Sequence, residues 1–206
     1  MKKLIYFCSI SIFIGNFLTL KAQETIQELP ENYKKRHAIY DYSHPLTNTD
    51  SIMDFASKKM PLKITGTVYL SDKITPAKDV ILYIEQTDED GNFKLNKHEK
   101  KRFVEHRAWV KTNADGQYTF YTFVPGAYRL SKDLKAIHLT IKEPDQVEYN
   151  SNNFIFDNDH RLTKSCRKRL AKRGVDRILT PVKEGKMLVA RKDIVLNQYR
   201  VEVAKK

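Results

Sequence analysis

The chain has 206 residues, 41% of them hydrophobic and 30% charged, with seven glycines and seven prolines. These values exclude a low-complexity or disordered chain and suffice for one domain with a sizeable core. The formal net charge of +12 suits anionic partners such as nucleic acids, membrane surfaces or acidic ligands, although a solvated basic surface is the plainer interpretation.

The first 22 residues have the order of a secretory signal peptide. A basic start, Met1-Lys2-Lys3, precedes an uncharged apolar run over residues 4–20, and Ala22 offers a small residue before the cleavage point. The alternative is an uncleaved membrane anchor, for which the apolar run is slightly short. We therefore expect an exported chain, periplasmic or secreted, without a stable membrane span after cleavage.

Cleavage would change both the charge and the cysteine content. Subtracting Lys2, Lys3 and Lys21 from the formal charge of +12 leaves +9. Cys166 would remain as the single cysteine, so that no internal disulfide can form. Export also argues against a nucleic-acid partner.

Residues 23–60 are polar and mixed in pattern, and we interpret them as an extended N-terminal arm before a domain over residues 61–206. From residue 61 onwards, short runs alternate apolar and polar residues, which is typical of half-buried strands. The clearest hairpin signal is the Asp115-Gly116 turn between two such runs. The predicted strands have the sequences LKITGTVYL, VILYIEQ, EHRAWVKT, QYTFYTF, KAIHLTIK, NNFIFDND, MLVARKDIVLN and YRVEVA.

One short, basic helix is predicted over residues 163–177. It contains the densest basic run of the chain, KSCRKRLAKRGVDR, which we interpret as a solvated face. Many short strands, turns between them and little helix indicate an all-β sandwich or barrel.

Four motifs follow one another between residues 61 and 162, about half of the chain. They are PLKITGTVYLSDKITPAKDVILYIEQTDEDGNF, HRAWVKTNADGQYTFYTFVPGAYR, LKAIHLTIK and NNFIFDND. The second joins an arginine-bearing strand to a hairpin and then to a Pro-x-x-Tyr loop. In this order the motifs resemble the intradiol ring-cleavage dioxygenases, the catechol and protocatechuate dioxygenase family.

The resemblance implies a β-sandwich of the intradiol type with short helical additions, built around a non-haem ferric ion. The family holds Fe(III) through two tyrosinates and two histidines, and it uses O₂ to cleave catechol-type aromatic rings. Anionic oxygen donors suit a hard ferric ion. The two histidines are two residues apart on one strand, which places both side chains on the same face.

Carried over to this chain, the resemblance gives Fe(III) two of its four protein ligands. Tyr128, in PGAY, falls on the second tyrosine, and His138 falls on the first histidine. Phe93 falls on the first tyrosine and Thr140 on the second histidine, and neither side chain is an equivalent donor. The ferric site is therefore expected to be absent or severely weakened.

Two positions around the iron also differ, and both are candidate catalytic residues. Lys135 falls on an arginine just before the histidines, and Asn153 falls on a glutamine near the following strand. Lysine keeps the charge but lacks the planar fork of arginine. Five further side chains could replace the lost ligands, although packing or solvent exposure explains each as well: His98, His106, Tyr118, Tyr121 and His160.

Two functions follow from these residues. The first is an exported intradiol dioxygenase with a remodelled iron site, acting on a small catechol-like aromatic. The second is a non-catalytic sandwich that binds a ligand or has a structural role after losing the iron site. A third interpretation, a basic surface that docks on an acidic polymer or a membrane, rests on the charge of +9 alone.

Overall fold

The structure, a computed structural model, describes residues 30–128 and 130–196. The chain divides into two compact units, residues 1–31 and residues 32–206. The predicted signal peptide and the predicted strand YRVEVA lie outside the described residues. Within the part of the chain that is described, no helix is long and apolar enough to cross a membrane.

The described part of the second unit consists mainly of strands joined by turns. Its helical elements are one α-helix, α1 (Lys164–Lys172), and two short 3-10 helices, Ala38–Tyr40 and Phe55–Ser57. The strands are β1 (Thr49–Ser51), β2 (Pro61–Tyr69), β3 (Ile81–Gln86), β4 (Leu95–His98), β5 (Lys101–Val104), β6 (Arg107–Lys111), β7 (Gln117–Phe123), β8 (Ala136–Lys142), β9 (Tyr149–Asn150), β10 (Phe154–Phe156), β11 (Ile178–Leu179), β12 (Val182–Glu184), β13 (Met187–Arg191) and β14 (Ile194–Val195).

Two six-stranded sheets form the sandwich. The first has the order β1-β7-β2-β13-β12, with β14 also paired to β2, and the second has the order β11-β10-β8-β3-β6, with β9 paired to β8. Strands β4 and β5 form a separate two-stranded hairpin. The predicted all-β sandwich with short helical additions is confirmed.

The core lies between the two sheets because each strand alternates its side chains. On β8, Ile137, Leu139 and Ile141 are buried in one cluster with Ile64 of β2 and Phe120 of β7. Each such large apolar side chain contributes about 1.5–3 kcal/mol on full burial. The intervening residues of β8 therefore face away from the core, on the outer side of the second sheet.

The segment before β2 packs against the sandwich. Strand β1 pairs in parallel with β7, and Ile39 forms a small apolar cluster with Tyr83 and Trp109 on the second sheet. A buried ion pair between Lys101 and Asp41, with 2.5 Å between Nζ and Oδ2, joins this segment to the β4–β5 hairpin. Residues 32–60 of the predicted arm thus belong to the same compact unit as the sandwich.

Helix α1 covers the outer side of β10. Its Thr163 cap accepts a hydrogen bond from the backbone N–H of Cys166, and Leu170 packs with Ile155 and Leu162. The helix ends earlier than the predicted limit of residue 177, because Gly174 adopts a left-handed conformation with φ +64° just beyond its last turn.

Candidate functional site: a cleft on the second sheet

A cleft of about 980 Å³ opens on the outer side of the second sheet. Its lining combines the β3–β4 connection, the β7–β8 connection, the outer face of β8 and β10, and the segment from β10 to β11. We call Phe93, Tyr128 and His138 its aromatic set. We call Lys132, Arg161, Arg169 and Arg177 its cationic set.

Two glycines position the loops that carry Phe93 and Tyr128. A Cβ atom on Gly91, where φ is +88°, would lie 2.4 Å from the backbone of Ala127, and one on Gly126 would lie 2.3 Å from the Glu89 carbonyl oxygen. The backbone N–H of Gly126 donates to the Asp88 carbonyl at 2.7 Å. The two loops therefore pack backbone to backbone, which a side chain at either glycine would prevent.

Phe93 and His138 are direct neighbours in the cleft. Their ring centroids are 5.6 Å apart at an interplanar angle of 49°. Phe93 is 45% exposed and Tyr128 is 51% exposed, so both rings present a face or an edge to the cleft and to solvent. The structure thus brings three of the four ligand positions implied by the resemblance into one cleft.

His138 is held in an environment that favours the neutral imidazole. Burial lowers its pKa, and the Glu85 carboxylate, opposite it on β3, opposes that shift only in part. Glu85 also accepts a hydrogen bond from the Tyr83 hydroxyl at 2.7 Å. A neutral imidazole is available as a hydrogen-bond partner or as a metal ligand at neutral pH.

Thr140 lies on the same face of β8 but not in the same cleft. Its side chain is buried, and its hydroxyl bonds to the Asn150 amide oxygen at 3.1 Å. It lines a neighbouring pocket together with His138 and Glu85. The threonine hydroxyl is therefore already engaged within the protein.

The architecture around the cleft matches that of solved proteins. The dioxygenase domain of a dioxygenase–carbohydrate-binding protein fusion from Streptomyces sp. SirexAA-E is 22% identical with a TM-score of 0.57, over 75% of this chain and 92% of that one. An intradiol ring-cleavage dioxygenase from Tetranychus urticae is 18% identical with a TM-score of 0.54, over 78% and 92%. The fold is that of the intradiol ring-cleavage dioxygenases. The predicted resemblance is confirmed at that level.

Larger enzymes with the intradiol fold extend beyond the part shared with this chain. The 3-chlorocatechol 1,2-dioxygenase from Rhodococcus opacus 1CP is 17% identical with a TM-score of 0.52, and the match covers 71% of this chain but 63% of that enzyme. No family model and no curated protein matches the sequence.

The cleft does not offer the donor set of the intradiol ferric centre. Its described residues supply one phenol, Tyr128, and one imidazole, His138. The carboxylate of Asp133 already accepts a hydrogen bond from Ser131. Among the described residues, no group of three or more histidines, cysteines, aspartates or glutamates is arranged to hold a metal ion. These residues do not fit a four-ligand ferric site.

The two candidate catalytic residues lie in different places. Asn153 lines both the cleft and the neighbouring pocket, in each case with His138. Lys135 lines a separate pocket with His160, and its backbone N–H donates to the Asp159 carboxylate at 2.7 Å. Asn153 is therefore placed to contact a cleft ligand, whereas Lys135 is not among the residues that line the cleft.

The five replacement candidates have other surroundings. His106 packs edge-on against Phe123 at 4.9 Å, and the Tyr118 hydroxyl donates to the Lys192 carbonyl at 2.6 Å. Tyr121 packs against Phe55, His98 ends strand β4, and His160 is exposed beside Asp159. None of these five described side chains lines the cleft.

The cationic set is the part of the site that sequence reasoning missed. Arg169 belongs to the basic run interpreted as a solvated face, and Arg177 lies just beyond α1. Cys166, half-buried one helical turn before Leu170, lies on the side of the helix that packs inward. Arg169 is exposed, and no local pattern distinguishes it from the lysines of the same helix. Lys164, Lys168 and Lys172 are exposed, as a solvated face requires.

Proposed function

We propose that this chain is an exported member of the intradiol dioxygenase family that binds a small aromatic ligand in its cleft without the family's iron chemistry. The observation that carries the proposal is the contact between Phe93 and His138. A phenyl ring, with no oxygen donor, stands beside the imidazole at 5.6 Å between centroids. A ring in this position supports binding of an aromatic molecule rather than of a metal ion.

The size and lining of the cleft support such a ligand. A volume of about 980 Å³ lies at the upper end of the range typical of small-molecule sites. The aromatic set offers ring surfaces for stacking, and Leu134 and Ile155 add apolar contact. An aromatic pair contributes about 0.5–1.5 kcal/mol beyond the area that it buries.

The available donors weigh against a tightly held ferric ion. Full four-ligand metal sites bind with roughly 10 kcal/mol or more, so each missing ligand is expected to remove several kcal/mol. Tyr128 and His138 supply two donors, and the Thr140 hydroxyl is bonded to Asn150. Export is part of the proposal because residues 1–22 have the order of a signal peptide.

Catechol titration of the full chain tests the binding function. We expect saturable, metal-independent binding by calorimetry, weakened roughly 5- to 10-fold in Phe93→Ala through lost ring contact. Leu95→Ala is the matched control, because Leu95 is also apolar and exposed but lies on β4, outside the cleft. Absence of binding, or equal binding by wild type and Phe93→Ala, would contradict the proposal.

A second candidate is an intradiol dioxygenase with a remodelled centre, favoured by the presence of Tyr128 and His138 in one cleft. The double variant Phe93→Tyr, Thr140→His restores the family's ligand types. We expect the double variant to bind more iron than wild type and wild type to leave catechol intact. If wild type cleaves catechol as fast as the double variant, the second candidate is correct and the first is wrong.

A further inference from the structure

Helix α1 presents three lysines to solvent along one side. Lys164, Lys168 and Lys172 follow one another at intervals of four residues, and all three are exposed. We call them the lysine row. With 3.6 residues per turn, Lys168 and Lys172 each lie about 160° around the helix from the buried Leu170. The row therefore points away from the packed side of α1, with successive lysines about 6 Å apart along the helix axis.

The lysine row has no acidic partner within the described residues. None of its members forms an ion pair there. Residues 163–173 contain no aspartate or glutamate. The first acidic residue after the helix, Asp176, contacts the Lys192 ammonium instead. A partner that binds the row would therefore not have to displace an ion pair of the described structure.

The lysine row is electrostatically unfavourable for the helix that carries it. Like charges four residues apart on a helix repel each other, and the row contains two such pairs in succession. Lys164 is also the first residue of α1, at the positive end of the helix dipole, and the first turn holds no acidic residue. An anionic partner would offset both effects.

The backbone beneath the row is held in place by the sandwich. Thr163 caps the start of α1, and Leu170 packs with Ile155 and Leu162. The spacing of the three lysines is thus fixed before any partner binds. Binding would have to order only the lysine side chains, which lowers its entropic cost.

The shape of this surface suits a linear polyanion better than a membrane. A helix that lies in a membrane interface buries an exposed apolar face there. The large apolar residue of α1, Leu170, is buried against the sandwich, and the neighbours of the row, Ser165 and Ala171, are small. A lysine ammonium is a compact point charge, so that a straight row of them suits a chain of regularly repeated anions.

We propose that the lysine row is a docking surface for a linear carboxylated polysaccharide, with successive carboxylates of the polymer paired to successive lysines. Export, which is part of the proposed function, favours a polysaccharide over a nucleic acid as the polyanion. The surface is separate from the aromatic set, because no lysine of the row lines the cleft.

Polygalacturonate and its fully methyl-esterified form are the probes that isolate the charge, because they share one backbone. For the full chain, we expect polygalacturonate to bind roughly 10-fold or more tightly than the ester, with a preference that shrinks as salt is added. The triple variant Lys164→Gln, Lys168→Gln, Lys172→Gln should lose roughly 10- to 100-fold in affinity for polygalacturonate. Replacing the same three lysines by arginine keeps the charges and should retain binding.

The matched control removes the same net charge elsewhere. Lys73→Gln, Lys78→Gln, Lys183→Gln changes three exposed lysines outside α1, and this triple variant should lose less than about 3-fold in affinity. Glutamine has nearly the helix propensity of lysine. The variant of the lysine row should therefore unfold at the same Tm as wild type or at a higher one, since it removes repulsion between like charges.

The outcomes decide between a specific surface, a general charge effect and a membrane. Equal binding of the two polymers, or equal losses in the two glutamine variants, would overturn the docking surface. Tighter binding to phosphatidylglycerol vesicles than to polygalacturonate would overturn the polysaccharide in favour of a membrane surface. Catechol binding in the cleft is measured separately, so that failure of this proposal leaves the proposed function intact.

Discussion

The aromatic set and two of the three arginines of the cleft come from different parts of the chain. Phe93, Tyr128 and His138 lie in the stretch that resembles the intradiol family, on loops and a strand of the sandwich. Arg169 and Arg177 lie beyond it, on α1 and just before β11. The sandwich thus brings Phe93, Tyr128 and His138 into one cleft although the Phe93 ring has no donor atom. The segment between β10 and β11, which contains α1, supplies Arg169 and Arg177 to the same cleft.

The largest effect is expected from a substitution in the two loops that hold the aromatic set. Gly91→Ala would force a Cβ atom to within 2.4 Å of the Ala127 backbone at φ +88°. We expect a loss of about 3 kcal/mol or more in unfolding free energy and loss of catechol binding. Denaturant unfolding followed by the fluorescence of Trp109, the single tryptophan, measures the first effect.

Gly174→Ala is the control for backbone conformation alone. Gly174 has φ +64°, but a Cβ atom there would meet nothing within 4 Å. We expect a loss of about 1 kcal/mol and unchanged catechol binding. Similar losses at the two glycines would show that close packing of the two loops is not what positions the aromatic set.

The helix that carries Arg169 is expected to depend on one apolar contact. Leu170 is 8% exposed and packs with Ile155 and Leu162. Leu170→Ala should lower the unfolding free energy by about 2–3 kcal/mol. The exposed Lys172→Ala on the same helix should change stability by less than about 0.5 kcal/mol. A loss of less than about 1 kcal/mol in unfolding free energy for Leu170→Ala would show that the packing of Leu170 is not what holds α1 against the sandwich.

A smaller effect is expected at the start of the same helix. Thr163→Ala removes the acceptor for the Cys166 N–H, 3.2 Å away, and should cost about 1 kcal/mol. Amide exchange at Cys166 should accelerate in this variant, whereas Thr163→Ser should preserve the cap. Unchanged exchange in Thr163→Ala would show that the cap does not hold the first turn of α1.

The smallest effect concerns acid stability. Burial lowers the pKa of both His138 and His106 below the ordinary value of 6.5, with Lys58 adding to the shift of His106. The unfolded chain therefore binds protons at these histidines before the folded chain does, and stability falls as pH drops below about 6.5. Denaturant unfolding at pH 7, 6 and 5 should show this slope, reduced in His106→Gln and in His138→Gln. An identical slope in both variants would exclude these two groups as its origin.

The strands were predictable where one face of the sheet is buried. The predicted run QYTFYTF is β7, and the predicted run KAIHLTIK is β8 with Lys135 added at its start. Both runs could be recognised because residues that face the core alternate along them with residues that do not. The β4–β5 hairpin was not predicted. Strand β4 is exposed throughout, and its turn uses Glu99 and Lys100 at φ 45° and 65°, positions where glycine or asparagine is the usual signal. His98 is exposed, and it is the last residue of β4.

Part of the candidate site could be named in advance, through the resemblance to the intradiol family and not through any local pattern. The resemblance implied Tyr128 and His138 and, as a candidate catalytic residue, Asn153, and the structure places all three in one cleft. The position of Lys135 away from that cleft could not be read from sequence, because it depends on how the β7–β8 connection turns toward Asp159. The arginines come together only when α1 folds back on β10, a long-range packing event that no local pattern encodes.

Iron stoichiometry after ferric reconstitution tests the central claim most directly, namely that this intradiol fold has lost its ferric centre. The full chain, desalted after incubation with excess Fe(III), should retain far less than one iron per chain and remain colourless. One tightly retained iron per chain, with the red-purple absorption of tyrosinate bound to ferric iron, would contradict that claim.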